Sequence, residues 1–310
     1  MTLKPDSPVR RELLKMLGGL IGASCIPIRA DATGSSLLRR PIPSSGELLP
    51  SVGLGTSRVF DVGESPQDRE PLLEVLKLLT GHGGSVVDTS PMYGRAEKVV
   101  GDLANKNGLG EQIFLATKVW TRGREAGVDQ MEESMRLLGT DTIDLMQIHN
   151  LVDWETHIGT LRAWKEEGRI RYLGITHYRV DAFPDLEAIM LREELDFVQL
   201  NYSILTPAAA ERLLPVAADR GIAVLVNRPY ENGAVFSKVR GMELPAWTQE
   251  LEISSWGQFC LKWVLADPAV TCVIPGTSKP RHMLDNLGAG LGPLPDPAQR
   301  ERMRQLLVQA

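Results

Sequence analysis

The chain has 310 residues, 43% of them hydrophobic and 24% charged, with a net charge of −5. That balance suits a soluble globular protein with one large α/β core, although the length alone also permits two domains. A nucleic-acid-binding surface would need a basic excess or a basic stripe, and the chain has neither.

In chain order, the first feature is Ser7-Pro8-Val9-Arg10-Arg11-Glu12-Leu13-Leu14-Lys15, a twin arginine directly before an apolar, glycine-rich stretch from Met16 to Ile28. That stretch is too short to cross a bilayer as a helix, so no stable membrane span is expected. Ala30-Asp31-Ala32 offers a small-x-small cleavage site. The segment resembles a bacterial twin-arginine export signal. The resemblance implies removal of residues 1–32, the twin-arginine export machinery as a partner, and a periplasmic or otherwise extracytoplasmic mature chain of residues 33–310. The alternative is an amphipathic N-terminal helix with a chance Arg-Arg pair, which leaves the protein in the cytoplasm. A lipid anchor at Cys25 is disfavoured, because Gly22 stands where a bulky aliphatic residue is expected.

Residues 37–50 are polar and proline-rich, and read as a short hairpin. Eight apolar runs then predict strands at 52–56, 85–90, 113–119, 143–149, 172–177, 197–203, 223–229 and 271–277. Amphipathic segments between them predict helices at 67–80, 95–105, 128–138, 154–167, 181–193, 207–220, 254–266 and 280–287. Gly139, Gly168 and Gly221 suit helix C-termini, and Pro207 and Pro280 suit first helical turns. Eight βα units without a second pattern predict a single-domain α/β protein, a (β/α)8 TIM barrel. The pair Gly53-Leu54-Gly55 lacks the third glycine of a dinucleotide-binding fingerprint and reads as a close passage over the barrel mouth. Residues 230–253, the longest connection, read as a flap, and 297–308 as a final helix. Cys260 and Cys272 sit in apolar surroundings and read as buried thiols.

Three of these apolar runs end abruptly in a polar residue, Asp88, Lys118 and His149, and a fourth, Phe197-Val198-Gln199-Leu200-Asn201-Tyr202-Ser203, carries Gln199. Strand ends converge on one mouth of a barrel. Tyr93 follows Asp88 by five residues. A phenol is a poor acid at neutral pH unless a cation lies beside it, and Lys118 can supply that charge while Asp88 holds the ammonium in place. His149 can hydrogen-bond the oxygen that Tyr93 protonates. The four make a proton donor and an electrostatic cradle for a developing alkoxide, without a nucleophile–base pair.

Asp88-Thr89-Ser90-Pro91-Met92-Tyr93-Gly94 with Glu97, Ala116-Thr117-Lys118 and Leu145-Met146-Gln147-Ile148-His149 together resemble the motifs of the aldo-keto reductases. The likeness extends over roughly residues 50–290. It implies a (β/α)8 barrel that reduces an aldehyde or ketone by hydride transfer from NADPH, less often NADH. Tyr93 would be the general acid, Lys118 and Asp88 its tuning pair, and His149 the residue orienting the small-molecule carbonyl substrate.

The same resemblance assigns cofactor contacts to Gly55 and Thr56, Thr176 and His177, Gln199, Asn227, Arg228 and Pro229. It adds the last-strand loop Ile274, Gly276, Thr277, Ser278 and Lys279, with His282 and Asn286 on the following helix. Gln199 matches the glutamine that binds the nicotinamide carboxamide. Thr176-His177 replaces a common Ser-Asn, and Arg228 takes the place of an aromatic residue that stacks on the nicotinamide. Gly276 and His282 stand where relatives carry a phosphate-binding lysine and an arginine, and Lys279 and Arg281 can compensate. Trp120, Trp154 and Trp247 are candidate walls of a substrate pocket. A second reading is a cofactor-binding redox sensor or partner-binding barrel with little turnover. The chain has only five histidines and no His-x-His ends its first strand, so no metal site is expected.

Overall fold

The structure, a computed structural model, describes residues 36–309. The export-signal reading of residues 1–32 lies outside the described residues. Strands β1 (Arg39–Pro41) and β2 (Leu48–Pro50) form an antiparallel hairpin. Then follow β3 (Leu54–Gly55), β4 (Val86–Asp88), β5 (Phe114–Val119), β6 (Ile143–His149), β7 (Ile170–His177), β8 (Phe197–Asn201), β9 (Ala223–Asn227) and β10 (Val270–Val273). These eight lie side by side in chain order, every pair parallel. Bridges from Val52 to Val273 and from Gly55 to Gly276 join the last strand to the first, so the sheet closes into the expected barrel.

The helices are α1 (Pro66–Gly81), α2 (Ala96–Lys106), α3 (Arg124–Leu138), α4 (Trp154–Glu166), α5 (Phe183–Arg192), α6 (Leu213–Arg220), α7 (Ala234–Lys238), α8 (Trp256–Leu265), α9 (Pro280–Gly288) and α10 (Pro297–Gln309). Ser65 caps α1 by accepting the Asp68 N–H, and Ser255 caps α8 by accepting the Gln258 N–H. Gly139, Gly168 and Gly221 take left-handed φ values of 67°, 75° and 65° at helix ends, as their positions predict. Pro207 does not open a helix; it precedes a 3₁₀ turn, Ala208–Glu211, and α6 begins only at Leu213. The cause is Pro215, whose ring and missing N–H are tolerated in the first turn of a helix but not in its interior. The segment 230–253 is not an open loop. It folds into α7 and two 3₁₀ turns, with Val235 and Leu251 buried and its first residues tied down through Tyr230 and Glu231. No helix among the described residues is long and apolar enough to cross a membrane.

Strand pleating divides the barrel interior into two halves. The lower half is apolar: Val86, Phe114, Ala116, Leu145, Tyr172, Phe197, Ala223, Leu225, Cys272 and Ile274 form one buried cluster with Ile42 and Leu49 of the hairpin. The hairpin is therefore the floor of the barrel. It is tied down by the Tyr172 hydroxyl, which donates to Glu47 at 2.6 Å and accepts from Ser45 Oγ at 2.8 Å. Further along each strand on the same face, two residues on or, in β7, four, the side chains turn polar: Asp88, Lys118, Gln147, Thr176, Gln199 and Asn227. Residues of opposite parity, such as Val87, Met146, Ile148, Val198 and Val224, face the helices. Cys260 and Cys272 are both free and buried.

Gly53-Leu54-Gly55 serves barrel closure rather than loop passage. A Cβ at Gly55 would stand 2.8 Å from the Ile274 carbonyl oxygen, and one at Gly276 would stand 3.1 Å from the Gly55 oxygen. Both are backbone atoms and cannot step aside. Gly55→Val is expected to destabilise the fold by about 2–3 kcal/mol through overpacking. Gly159→Ala, in open space on α4, should gain up to about 1 kcal/mol. Urea denaturation of the two variants checks both values.

Candidate active site

Lys118 reaches the mouth from β5 and is completely buried, as is Asp88 from β4 apart from 3% of its side chain. The ammonium donates to Asp88 Oδ2 at 2.7 Å and to the Thr89 carbonyl at 2.7 Å. The second carboxylate oxygen accepts from Gln199 Nε2 at 2.7 Å and Gln147 Nε2 at 3.2 Å. Burial would strip the charge from Lys118, but Asp88 and the nearby phenol more than reverse this, so its pKa stands above the usual lysine value.

Tyr93 follows a tight turn in which its N–H donates to the Ser90 carbonyl. Gly94 completes that turn with φ 61°, and a Cβ there would strike the Asp61 carboxylate at 2.4–2.6 Å. Asp61 in turn accepts the Arg95 N–H at 3.0 Å and locks the start of α2. The Tyr93 ring centre lies 5.1 Å from Lys118 Nζ and 5.9 Å from the His149 ring, which it meets edge-on at 90°. The structure thus brings Asp88, Tyr93, Lys118 and His149 together at one mouth. One expectation is corrected. Burial pushes the Tyr93 phenol above its ordinary value, Lys118 and Arg228 pull it down, Asp88 pushes it back up, and the net shift is upward. Lys118 is largely neutralised by its own partner, so it offsets the desolvation of the phenol without overcoming it.

His149 is held neutral. Burial first, then the charges of Lys118 and His177, push it down to about 2. Its Nδ1 lies 3.0 Å from Ser90 Oγ, which also accepts the Met92 N–H at 3.4 Å. A hydroxyl that accepts from Met92 and donates to Nδ1 leaves the ring proton on Nε2, an electrically neutral donor. Ser90 and Gln147 are functional residues that the sequence reading left out. Strand parity could have found them, since each lies two residues from a chosen one, Asp88 and His149 respectively.

The positions expected to hold a cofactor divide into two groups. Some are spent internally. The Thr56 hydroxyl donates to the Asp88 carbonyl at 2.9 Å, and Ile274 belongs to the apolar interior. Gln199 is fully engaged: Nε2 donates to Asp88 and Gln147, and Oε1 accepts from Thr176 Oγ1 at 3.3 Å and Asn227 Nδ2 at 3.2 Å. Asn286 Oδ1 accepts from the Tyr230 hydroxyl at 2.6 Å. His177 Nδ1 accepts the Arg179 N–H, and its ring stacks on Tyr178. Gly55 and Gly276 form the barrel seam. The others remain open. Asn227 Oδ1 is buried without a partner, and the N-terminus of α9 carries Lys279 at its cap with Arg281 and His282 in its first turn. Thr277 Oγ1 accepts the Lys279 N–H at 3.0 Å and shapes that turn, with Ser278 between them. A buried orphan acceptor at the mouth suits an amide, and a basic helix N-terminus suits phosphate, so the set fits a nicotinamide dinucleotide.

Of the three candidate tryptophans, Trp120 lies beside the site, its ring 6.4 Å from His149 and 41% exposed. Trp154 lines a cleft of about 410 Å³ with His177, Asp185 and Arg192, and Trp247 packs against Phe259 and Arg302.

A model of the aldo/keto reductase family matches residues 51–306, nearly all of the described chain. The chain belongs to the aldo/keto reductase family. It is 25% identical over 311 residues to the NADH-specific methylglyoxal reductase of Escherichia coli K12, covering 80% of this chain and 92% of that one. It is 27% identical to the methylglyoxal reductase YeaE of the same organism, covering 80% and 88%. With the aldo-keto reductase YhdN of Bacillus subtilis it shares 27% over 213 residues, 64% of this chain and 63% of that one. Among solved structures, an aldo-keto reductase of Klebsiella pneumoniae in complex with NADPH superposes with a TM-score of 0.71 at 23% identity, covering 89% and 96%. Its likeness shows the shared family barrel.

Two outcomes follow from the geometry. Lys118→Met leaves a buried carboxylate without its cation and is expected to cost about 3–5 kcal/mol. The double variant Asp88→Leu/Lys118→Met should lose less than the sum of the two single changes, measured by denaturation. His149 has a folded pKa far below its ordinary 6.5. The unfolded chain therefore takes up a proton there below that value and the folded chain does not. Stability should be fully present above pH 6.5 and fall as pH drops towards the folded value. His149→Gln should flatten this acid slope in urea titrations run at successive pH values.

Proposed function

We propose that the protein reduces an aldehyde or ketone to the alcohol, with NADPH or NADH as hydride donor. The observation that carries this reading is the buried Lys118–Asp88 pair set beside a phenol and a neutral imidazole at one barrel mouth. A nicotinamide held by these residues would supply the hydride for the carbonyl carbon. His149 Nε2–H donates to the carbonyl oxygen and sets its orientation. Tyr93 delivers its proton to the same oxygen as negative charge develops there. Lys118 then faces the phenolate, and Asp88 holds that ammonium charged and in place. A phenol raised above its ordinary pKa stays protonated across the neutral range and releases its proton only to a strong base such as an alkoxide. Asn227 would accept from the carboxamide, while Lys279 and Arg281 at the α9 N-terminus would meet phosphate. Two cations at that helix N-terminus favour the extra phosphate of NADPH, although the E. coli relative is named for NADH.

The catalytic domain is read as residues 33–310, preceded by a cleaved twin-arginine signal. Arg10-Arg11, the apolar stretch to Ile28 and Ala30-Asp31-Ala32 support export by the twin-arginine machinery to the periplasm. Replacing both arginines by lysine should leave the precursor in the cytoplasmic fraction, as read by immunoblot.

Tyr93→Phe should lower NADPH consumption with 4-nitrobenzaldehyde by about 10²–10⁴-fold, the range of a lost general acid. Its quenching of NADPH fluorescence should persist. Full turnover in this variant would remove Tyr93 from the role. A wild type that stops after one equivalent of cofactor would favour the sensor reading.

A further inference from the structure

The charges around the reacting centre do not balance. Lys118 and Asp88 cancel each other at 2.7 Å, and His149 is neutral. What remains at this mouth is Arg228, directly after β9. Its guanidinium carbon lies over the Tyr178 ring, 3.6 Å from the ring centre, so one side of the group is covered and its N–H edge is left for a ligand. Among the described residues, no carboxylate pairs with this guanidinium and no acceptor takes a hydrogen bond from it. Glu231, its near neighbour in sequence, is held elsewhere by Ser203 Oγ at 2.7 Å.

The backbone supports a built position. Arg228 has φ 51°, a left-handed conformation that costs a non-glycine residue of the order of 1 kcal/mol. The turn holding it is closed by the Glu231 N–H donating to the Arg228 carbonyl at 2.9 Å. Asn227, the residue before it, donates to Gln199, which donates to Asp88, and Tyr178 directly follows β7, so Arg228 stands at the same barrel mouth as the catalytic pair. The phosphate-binding work has its own cations, Lys279 and Arg281, at the start of α9. The remaining walls beside Tyr93 and His149 are half-exposed and largely apolar, Met92 and Trp120.

We propose that Arg228 is a specificity residue, and that the substrate is a carbonyl compound carrying a carboxylate, which its free N–H edge receives while Tyr93 and His149 hold the carbonyl. The substrate class is thus an oxo acid or a carboxylated aldehyde with an apolar body. This deepens the carbonyl-reductase reading and rests on it. A planar carboxylate matches the paired N–H groups of a guanidinium, and the contact is charge-assisted.

The test compares 4-carboxybenzaldehyde with 4-nitrobenzaldehyde, similar in shape but different in charge. The wild type should prefer the carboxylate in kcat/KM. Arg228→Gln should lower the carboxylate-to-nitro ratio about tenfold, the loss of one charge-assisted contact. Arg228→Lys should recover part of it. An unchanged ratio, or an equal fall for both aldehydes, overturns the proposal, since the residue then serves the cofactor or the fold. A wild type inert towards both aldehydes is a failure of the carbonyl-reductase reading. Binding then decides the role of Arg228 by itself, through tryptophan fluorescence titrated with benzoate and with benzamide. Tighter binding of benzoate that disappears in Arg228→Gln supports the proposal, and equal binding of the two ligands overturns it.

Discussion

A lysine ammonium and an aspartate carboxylate 2.7 Å apart, both shut off from water, impose conditions on everything around them. Two desolvated ions persist only if their remaining donors and acceptors are filled. Here the Thr89 carbonyl takes a second ammonium proton, and Gln147 and Gln199 fill the far carboxylate oxygen. Gln199 is held in turn by Thr176 and Asn227. The polar half of the barrel is thus one connected network, and the glutamine matched to a cofactor contact is its hub.

That network exists because of strand register. Lys118 pairs with Gln147 across β5 and β6, His149 with Thr176 across β6 and β7, and Thr176 with Gln199 across β7 and β8. A slip of one residue in any strand would turn its polar residue towards the helices and an apolar one into the site. The hairpin floor and the glycine seam between β3 and β10 guard against such slips from below and from the side. Fold stability and catalytic geometry therefore depend on the same contacts.

Electrostatically, the mouth is arranged so that each group keeps one protonation state through the neutral range. The phenol is raised, the imidazole is lowered and the ammonium is stabilised. The first two effects begin with burial and the third is won against it by Asp88, and burial is the one influence no sequence pattern reports directly. The direction of the Tyr93 shift was misjudged for that reason. A cation beside a phenol lowers its pKa, yet the same enclosure that brings the cation near removes the water that would have solvated the phenolate.

What the sequence determined unaided is the barrel and the four residues at its mouth. Period-two patterning sends alternate side chains inward, and a polar residue at the end of a buried strand has only the open mouth to occupy. Glycine at Gly139 and Gly221 and proline at Pro280 set helix limits through local backbone sterics, which are legible one residue at a time. The start of α6 was misread because Pro215 acts on residues upstream of itself. Only the tertiary structure decided the rest: that Gly55 closes the barrel, that Thr56 and Gln199 are consumed internally, that Trp154 shares a cleft with His177, and that Arg228 rests on Tyr178. Each of these depends on which atoms meet across strands far apart in the chain, where hydrogen-bond capacity is shared among neighbours that no local pattern names.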